Sequence, residues 1–224
     1  MSQVLNSALA ASTAIDNLIA DLEQASSTLE LLRATGALAR TADPRAAAAL
    51  VQVLGFNNPG AAVAAVDGLI AIGSPAVDHL LELDPRNYGA RAWAVRALAG
   101  IGDVRGLALL IEALLTDVGP SVRRAAAKGL GSLQLDALPA DERTDIEQRC
   151  LQALVEASSD GEWVVRYAVV VGLEGLALGS GWSSDHPSCG RTCAALQRLD
   201  ATAVEEAAVV RLRAGLALRR LQPS

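Results

Sequence analysis

Ala90-Arg91-Ala92-Trp93-Ala94-Val95-Arg96-Ala97-Leu98 and Val122-Arg123-Arg124-Ala125-Ala126-Ala127-Lys128-Gly129-Leu130 are two writings of one segment, offset by 32 residues. Internal periods of this size mark architectures in which one supersecondary unit is copied and stacked. Earlier copies put Leu69 29 residues before Leu98 and Leu38 31 before Leu69, and a later one, Val165-Arg166-Tyr167-Ala168 to Leu173, follows after 43. A terminal copy runs from Val210-Arg211 to Leu221. Within each copy the apolar residues recur at helical spacing, and breaks such as Asp43-Pro44, Ser74-Pro75, Gly102-Asp103 and Gly119-Pro120 restart the next helix. Pro just inside a helix start gives up an N–H that has no intrahelical partner. Gly68, Ala97, Gly129 and Gly172 stand where neighbouring helices must approach closely. A two-helix unit of ~30 residues cannot bury its apolar stripe alone. The expected fold class is therefore all-α, an α-α superhelix of about five to six stacked helical hairpins.

The pattern V-R-x-A-A-x-x-L-G at the second helix resembles HEAT repeats, and the tetratricopeptide and ankyrin signatures are missing. On this reading residues 1–224 form a single HEAT-like α-solenoid domain with right-handed stacking. An N-terminal helical cap is expected at 1–26, inserted loops at 132–143 and 179–191, and a C-terminal helix at 200–221. Val66, Leu69, Leu98, Leu130 and Leu173 are expected between the layers.

Composition agrees with helices. Ala and Leu make up 79 of 224 residues while aromatics are 3%, which argues against a sandwich or barrel. The net charge of −6 makes nucleic acid a poor partner, so any anion-binding surface has to be local. Lys128 is the only lysine, and the other 18 basic residues are Arg, the side chain suited to bidentate carboxylate recognition. No basic residue precedes Arg33, so a secretory or transit signal is not expected. Apolar runs fall short of the ~18 residues that cross a bilayer. Asp67 cuts the run 61–72, and Arg166 and Glu174 cut the run 163–178. Cys150, Cys189 and Cys193 are an odd number in a chain with ample core, which fits a reducing cytoplasm and no membrane insertion.

Three constellations carry potential chemistry. His186, Cys189 and Cys193 have ligand-like spacing but no fourth ligand at recognisable distance, so no metal site is expected. Arg91, Arg123, Arg166 and Arg211 recur once per repeat, either to bond a neighbouring turn and hold the stack or to meet a ligand. Asn87-Tyr88-Gly89-Ala90-Arg91-Ala92-Trp93 sets two aromatics beside an Arg, and Trp163, Arg166 and Tyr167 repeat the combination. Rings beside Arg suit a planar, conjugated, carboxylate-bearing ligand. Tyr88 and Arg91, three apart, share a helix face, whereas Trp93 points away and is expected in the core. Neither a Ser/His/Asp set nor a phosphate-binding loop is present, so self-contained hydrolytic or kinase chemistry is not expected.

Gly55-Phe56-Asn57-Asn58-Pro59 followed by 61–69, the segment 87–92, Pro120-Ser121-Val122-Arg123 through Gly131, and Trp163-Val164-Val165-Arg166-Tyr167-Ala168 together closely resemble the E/F-type phycobilin lyases, and more narrowly their F (beta) subunits. The resemblance covers most of 29–178 and implies a phycobilisome-bearing source. It implies a subunit that pairs with an E (alpha) subunit to attach phycocyanobilin through a thioether to a cysteine of the apo-phycocyanin alpha subunit. The bilin is then a substrate, and no cofactor is implied. In one branch of the family the F-type subunit also isomerises the bilin, and resemblance ties that activity to an adjacent His-Cys pair. Here Leu80 follows His79 and Pro187 follows His186, so attachment without isomerisation is expected. The nucleophile belongs to the client protein, leaving positioning and proton control to the lyase. Asp67, Tyr88 and Arg91 are the expected catalytic residues, Asp67 to accept pyrrole N–H groups and Arg91 to hold a propionate. Asn87, Trp93, Arg123, Arg166 and Tyr167 are the expected bilin-binding residues. The alternative is a non-catalytic repeat scaffold or chaperone for phycobilisome assembly or disassembly, since solenoids commonly bind proteins.

Overall fold

The computed structural model describes residues 2–183, 185–201 and 203–221, with side chains from residue 13 onward. The chain divides into two compact units, 1–101 and 102–224. The first holds α1 (Ser2–Glu23), α2 (Thr28–Ala39), α3 (Ala47–Val53), α4 (Pro59–Ile72), α5 (Val77–Leu81) and α6 (Tyr88–Ile101). The second holds α7 (Leu107–Thr116), α8 (Pro120–Leu130), α9 (Ala140–Glu156), α10 (Trp163–Ser180), α11 (Pro187–Asp200) and α12 (Ala208–Leu221). Among the described residues there is no strand. The even-numbered helices are the second helices of the hairpins, and within each unit they pack on one another: α2 on α4 on α6, and α8 on α10 on α12.

Local chemistry starts each helix where the sequence breaks. Ser27 accepts the Glu30 N–H while Glu30 reaches back to the Ser27 N–H, a reciprocal cap that satisfies two otherwise orphaned donors of α2. Asp43 and Asp103 accept the N–H of the residue two further on and grip the Arg side chains of Arg45 and Arg105, opening short 3-10 turns before α3 and α7. Asn58 accepts the Ala61 N–H and donates to the Thr28 carbonyl, tying α4 to the start of α2. Val66, Leu69, Leu98, Leu130 and Leu173 are all buried, as the helical period requires.

Two irregular segments differ from expectation. The loop expected at 132–143 ends earlier because Pro139 starts a helix instead of prolonging a break, and α9 begins at Ala140. Its remaining residues dock on the turn before α7: the Gln134 N–H donates to the Gly102 carbonyl at 2.8 Å. Gly102 has φ +73°, and a Cβ there would lie 2.9 Å from the Ser132 carbonyl oxygen, so only glycine fits. The loop expected at 179–191 shrinks to the short connection between α10 and α11, and the helix expected at 200–221 is confined to 208–221. Pro187 is the first residue of a full helix, and His186 caps it by accepting the Ser188 N–H on Nδ1. Ser184 and Thr202, in these two stretches, lie outside the described residues.

α10 is long and apolar enough, by length and composition, to cross a membrane. Its two charges are engaged inside unit 102–224, Arg166 with Glu205 and Glu174 with Arg213, and the helix packs against α8, α9 and α12. It is the core element of that unit.

α8 and α10 approach closely. A Cβ on Gly172 would sit 2.3 Å from the Ala127 carbonyl oxygen and 2.9 Å from Leu154 Cδ2. Gly172→Ala is therefore expected to force the helices apart and destabilise by ~1–3 kcal/mol or more. Gly179→Ala, on the same helix with nothing within 4 Å of its Cβ, should be neutral or stabilising. Thermal melts of the two variants side by side check this, and equal melting temperatures would contradict it.

Candidate functional site

Arg123, Arg166 and Arg211 stand four residues into α8, and at the matching register of α10 and α12. Arg123 donates through Nε and Nη2 to both carboxylate oxygens of Asp160, at 2.7 and 3.0 Å. Its Nη1 donates to the carbonyls of Asp117 and Val118 in the turn before α8. Arg166 repeats the geometry on Glu205, at 2.5 and 2.8 Å, with Nη1 on the carbonyls of Asp160 and Gly161. Arg211 donates to the carbonyls of Glu205 and Glu206. Each acid also accepts the N–H two residues on, as Asp160 does from Glu162 and Glu205 from Ala207. Each arginine thus closes its own hairpin turn, and Arg123 and Arg166 also fork onto the acid of the following one.

These bonds occupy the N–H edges with which Arg123 and Arg166 would fork onto a ligand carboxylate. The structure places both in the scaffold of unit 102–224, the stack-holding member of the two readings open from sequence. Tyr167, beside Arg166 on α10, is half-buried, and Trp163 is exposed at the start of the helix.

Electrostatics follow the same ladder. Burial raises the Asp160 carboxyl, but the Arg123 hydrogen bonds, the Glu162 N–H and the charges of Arg123 and Arg166 outweigh it and hold the group below its ordinary value. The Arg166 fork holds Glu205 below its ordinary value against an opposing burial effect. A carboxyl depressed on folding contributes stability above its unfolded value and loses that contribution as pH falls through its folded value. Melting temperature is therefore expected to hold from neutrality toward pH 5 and to fall below about pH 4. Glu205→Gln should show a shallower fall over that range, and an equally steep one would remove Glu205 from the cause.

In unit 1–101 the expected site residues sort by height along the second helices. Asn87 caps α6, its Oδ1 accepting the Ala90 N–H at 3.1 Å, so its side chain has a structural task. Tyr88, the first residue of α6, is 79% exposed. Arg91 follows on the same face at the register of the turn-closing arginines, partly buried. Trp93 is half-buried, not in the core, and Arg96 lies over its ring at 5.6 Å. Asp67 is exposed on α4 at the register that Arg96 occupies on α6. Eight residues separate the Tyr88 and Arg96 levels, about 12 Å along a helix axis. Tyr88 thus presents an exposed phenol at the start of α6, the Arg96 and Trp93 pair lies further along the same helix, and Asp67 stands at the matching register of α4. The contact between Arg96 and Trp93 was not expected from sequence, although their spacing of three was the available signal.

The His186, Cys189 and Cys193 group proves to be packing. The His186 ring stacks on Trp182 at 5.6 Å and 5°, and Trp182 Nε1 donates to Glu147. Ser188 accepts from Gln148, joining α11 to α9. All three cysteines are buried, and burial pushes the Cys150 thiol up to about 12.

Comparison with known proteins adds independent findings. The HEAT-repeat family profile matches residues 77–174. The phycocyanin alpha phycocyanobilin lyase CpcF of Synechocystis is 56% identical over 164 residues, 73% of this chain and 77% of the relative. The bilin biosynthesis protein RpcF of Synechococcus is 49% identical, over 92% of this chain and 95% of the relative. Among solved structures, the complex of CpcE and CpcF of phycocyanin lyase from Nostoc contains a chain matched at 41% identity with a TM-score of 0.68, covering 78% of this chain and 99% of that one.

Proposed function

The chain belongs to the F (beta) subunit family of the phycobilin lyases, and on that footing we propose that it works with an E-type partner to attach phycocyanobilin to a cysteine of the phycocyanin alpha subunit, in the cytoplasm and without isomerising the bilin. The observation that carries attachment is the 56% identity to a lyase subunit over nearly three quarters of the chain. The absence of an adjacent His-Cys pair supports the non-isomerising reading.

The client thiolate adds to the ethylidene of the bilin A-ring. Sulfur bonds to the exocyclic carbon, a proton reaches the ring carbon, and no group leaves. The lyase supplies position and the proton. Tyr88, exposed at the tip of α6, stacks on an outer pyrrole and delivers the proton from its hydroxyl. Asp67, exposed on α4 at the register that Arg96 holds on α6, accepts inner pyrrole N–H groups. Arg91 acts as a positioning residue that fixes the segment bearing Tyr88, in keeping with its three counterparts.

The absorption of the denatured product tests the non-isomerising part. The expected adduct loses only the ethylidene double bond that the addition consumes and keeps the remaining conjugation of phycocyanobilin, whereas an adduct blue-shifted further, by loss of the A-ring bridge double bond from the conjugated system, would overturn that part while leaving attachment standing.

A further inference from the structure

Unit 1–101 holds three charges that its fold does not consume. α2 carries Arg33 within the helix and Arg40 as its C-cap, and the one charged residue of α4 is Asp67. All three are exposed, and none of their side chains has an ion-pair or hydrogen-bond partner among the described residues. The one acid of α2, Glu30, is taken by the Ser27 cap, and Arg96, at the register of Asp67 on α6, lies over Trp93.

The three lie on one side of a helix pair. α2 and α4 run parallel: Asn58, at the start of α4, donates to the Thr28 carbonyl at the start of α2. Toward their far ends, a Cβ on Gly68 would lie 2.6 Å from Ala39 Cβ. α3 packs on both helices and so marks their buried side. The buried residues of α2 are Thr35 and Leu38. At 3.6 residues per turn, Arg33 and Arg40 project opposite to these, on one stripe and ~10 Å apart along the axis. Asp67 projects opposite to Ala65 and Leu69, which are buried on α4. The free faces therefore adjoin, with two cations on α2 beside a carboxylate on α4.

Arg40 keeps helical backbone angles, φ −66° and ψ −15°, and its side chain folds back along α2. Its Nη1 lies 3.5 Å from where a Cβ on Gly36 would stand. Gly36 is the residue 31 before Asp67, the same interval that separates Leu38 from Leu69. The guanidinium thus stands at the register of the Asp67 carboxylate without bridging to it. Packed helix axes lie ~8–10 Å apart. A carboxylate facing two cations across that gap suits a flat molecule with N–H donors on one edge and two acids on the other. The inner half of an open-chain tetrapyrrole is built this way, with ring N–H groups on one edge and a propionate from each inner ring on the opposite edge.

We infer that Arg33 and Arg40 bind the two propionates of the bilin, whose N–H edge faces Asp67. The inference rests on the lyase reading and deepens it by naming the residues that select a dicarboxylate. Every residue it uses belongs to unit 1–101. Exposed cations without partners add little to fold stability, so their removal changes recognition and not folding.

The test uses the complex with the E-type partner, titrated with phycocyanobilin and with its dimethyl ester, whose propionates carry no charge. For the unaltered complex, binding of the free acid at least about tenfold tighter than the ester is expected, each charge-assisted contact adding to the difference. In an Arg33→Gln/Arg40→Gln complex that preference should vanish, with helicity unchanged and melting within about 4 °C of the original, the reach of one lost cation near a helix C-terminus. Arg33→Lys/Arg40→Lys, which restores the charges, should regain most of the preference. A Gln variant that keeps the acid-over-ester preference overturns the inference and leaves the lyase reading intact. A Gln variant that no longer assembles with the E-type partner also overturns it, in favour of a subunit interface on this face. An unaltered complex that binds acid and ester equally overturns it as well, and one that binds neither overturns the lyase reading itself.

Discussion

Arg166→Ala melts ~6–20 °C below the unaltered chain, the shift expected from ~3–5 kcal/mol in a protein of this size. The reason is the carboxylate left behind. Glu205 is 1% exposed, and both of its oxygens are held by the Arg166 fork. Removing the arginine strands a buried charge and also frees the carbonyls of Asp160 and Gly161. Replacing both partners with apolar residues of similar volume, as in Arg166→Met with Glu205→Leu, should recover most of the loss, because no unpaired charge then remains. An Arg166→Ala protein that melts normally would show that the ladder does not hold the hairpins, and would reopen Arg166 to a ligand role.

Tyr88→Phe lowers the attachment rate by about 100-fold, within the range for loss of a positioned proton donor. The ring and its stacking survive, and a side chain this exposed contributes little to stability, so melting should stay within ~0.5 kcal/mol of the original. Arg91→Lys separates the neighbouring role. Ammonium keeps the charge and loses the planar fork, so a positioning residue gives a lower melting temperature and activity that returns on cooling. An attachment rate for Tyr88→Phe within twofold of the original would remove the phenol from proton delivery. A normally stable but inactive Arg91→Lys would move Arg91 from positioning to direct contact with the bilin.

The repeat was legible because Leu38, Leu69, Leu98, Leu130 and Leu173 recur at hairpin spacing, and burial follows period directly. α11 was hidden by its own start signal. In Gly-Ser-Gly-Trp-Ser-Ser-Asp-His-Pro the proline reads as one more break, yet Pro187 opens a helix and His186 caps it. The arginine series was visible, but its function was not, because Asp160 lies 37 residues from Arg123 and Glu205 39 from Arg166. The spacing that links them was present all along: Asp117, Asp160 and Glu205 each stand six residues before Arg123, Arg166 and Arg211.

The most direct test of the account is an omission series that combines the apo-phycocyanin alpha subunit, phycocyanobilin, the E-type partner and this chain, read as thioether-linked bilin on the cysteine peptide by mass and absorption. A red-absorbing adduct should form with all four components and fall to background when this chain alone is left out. Equal adduct without it would contradict the lyase reading and leave a repeat scaffold in its place.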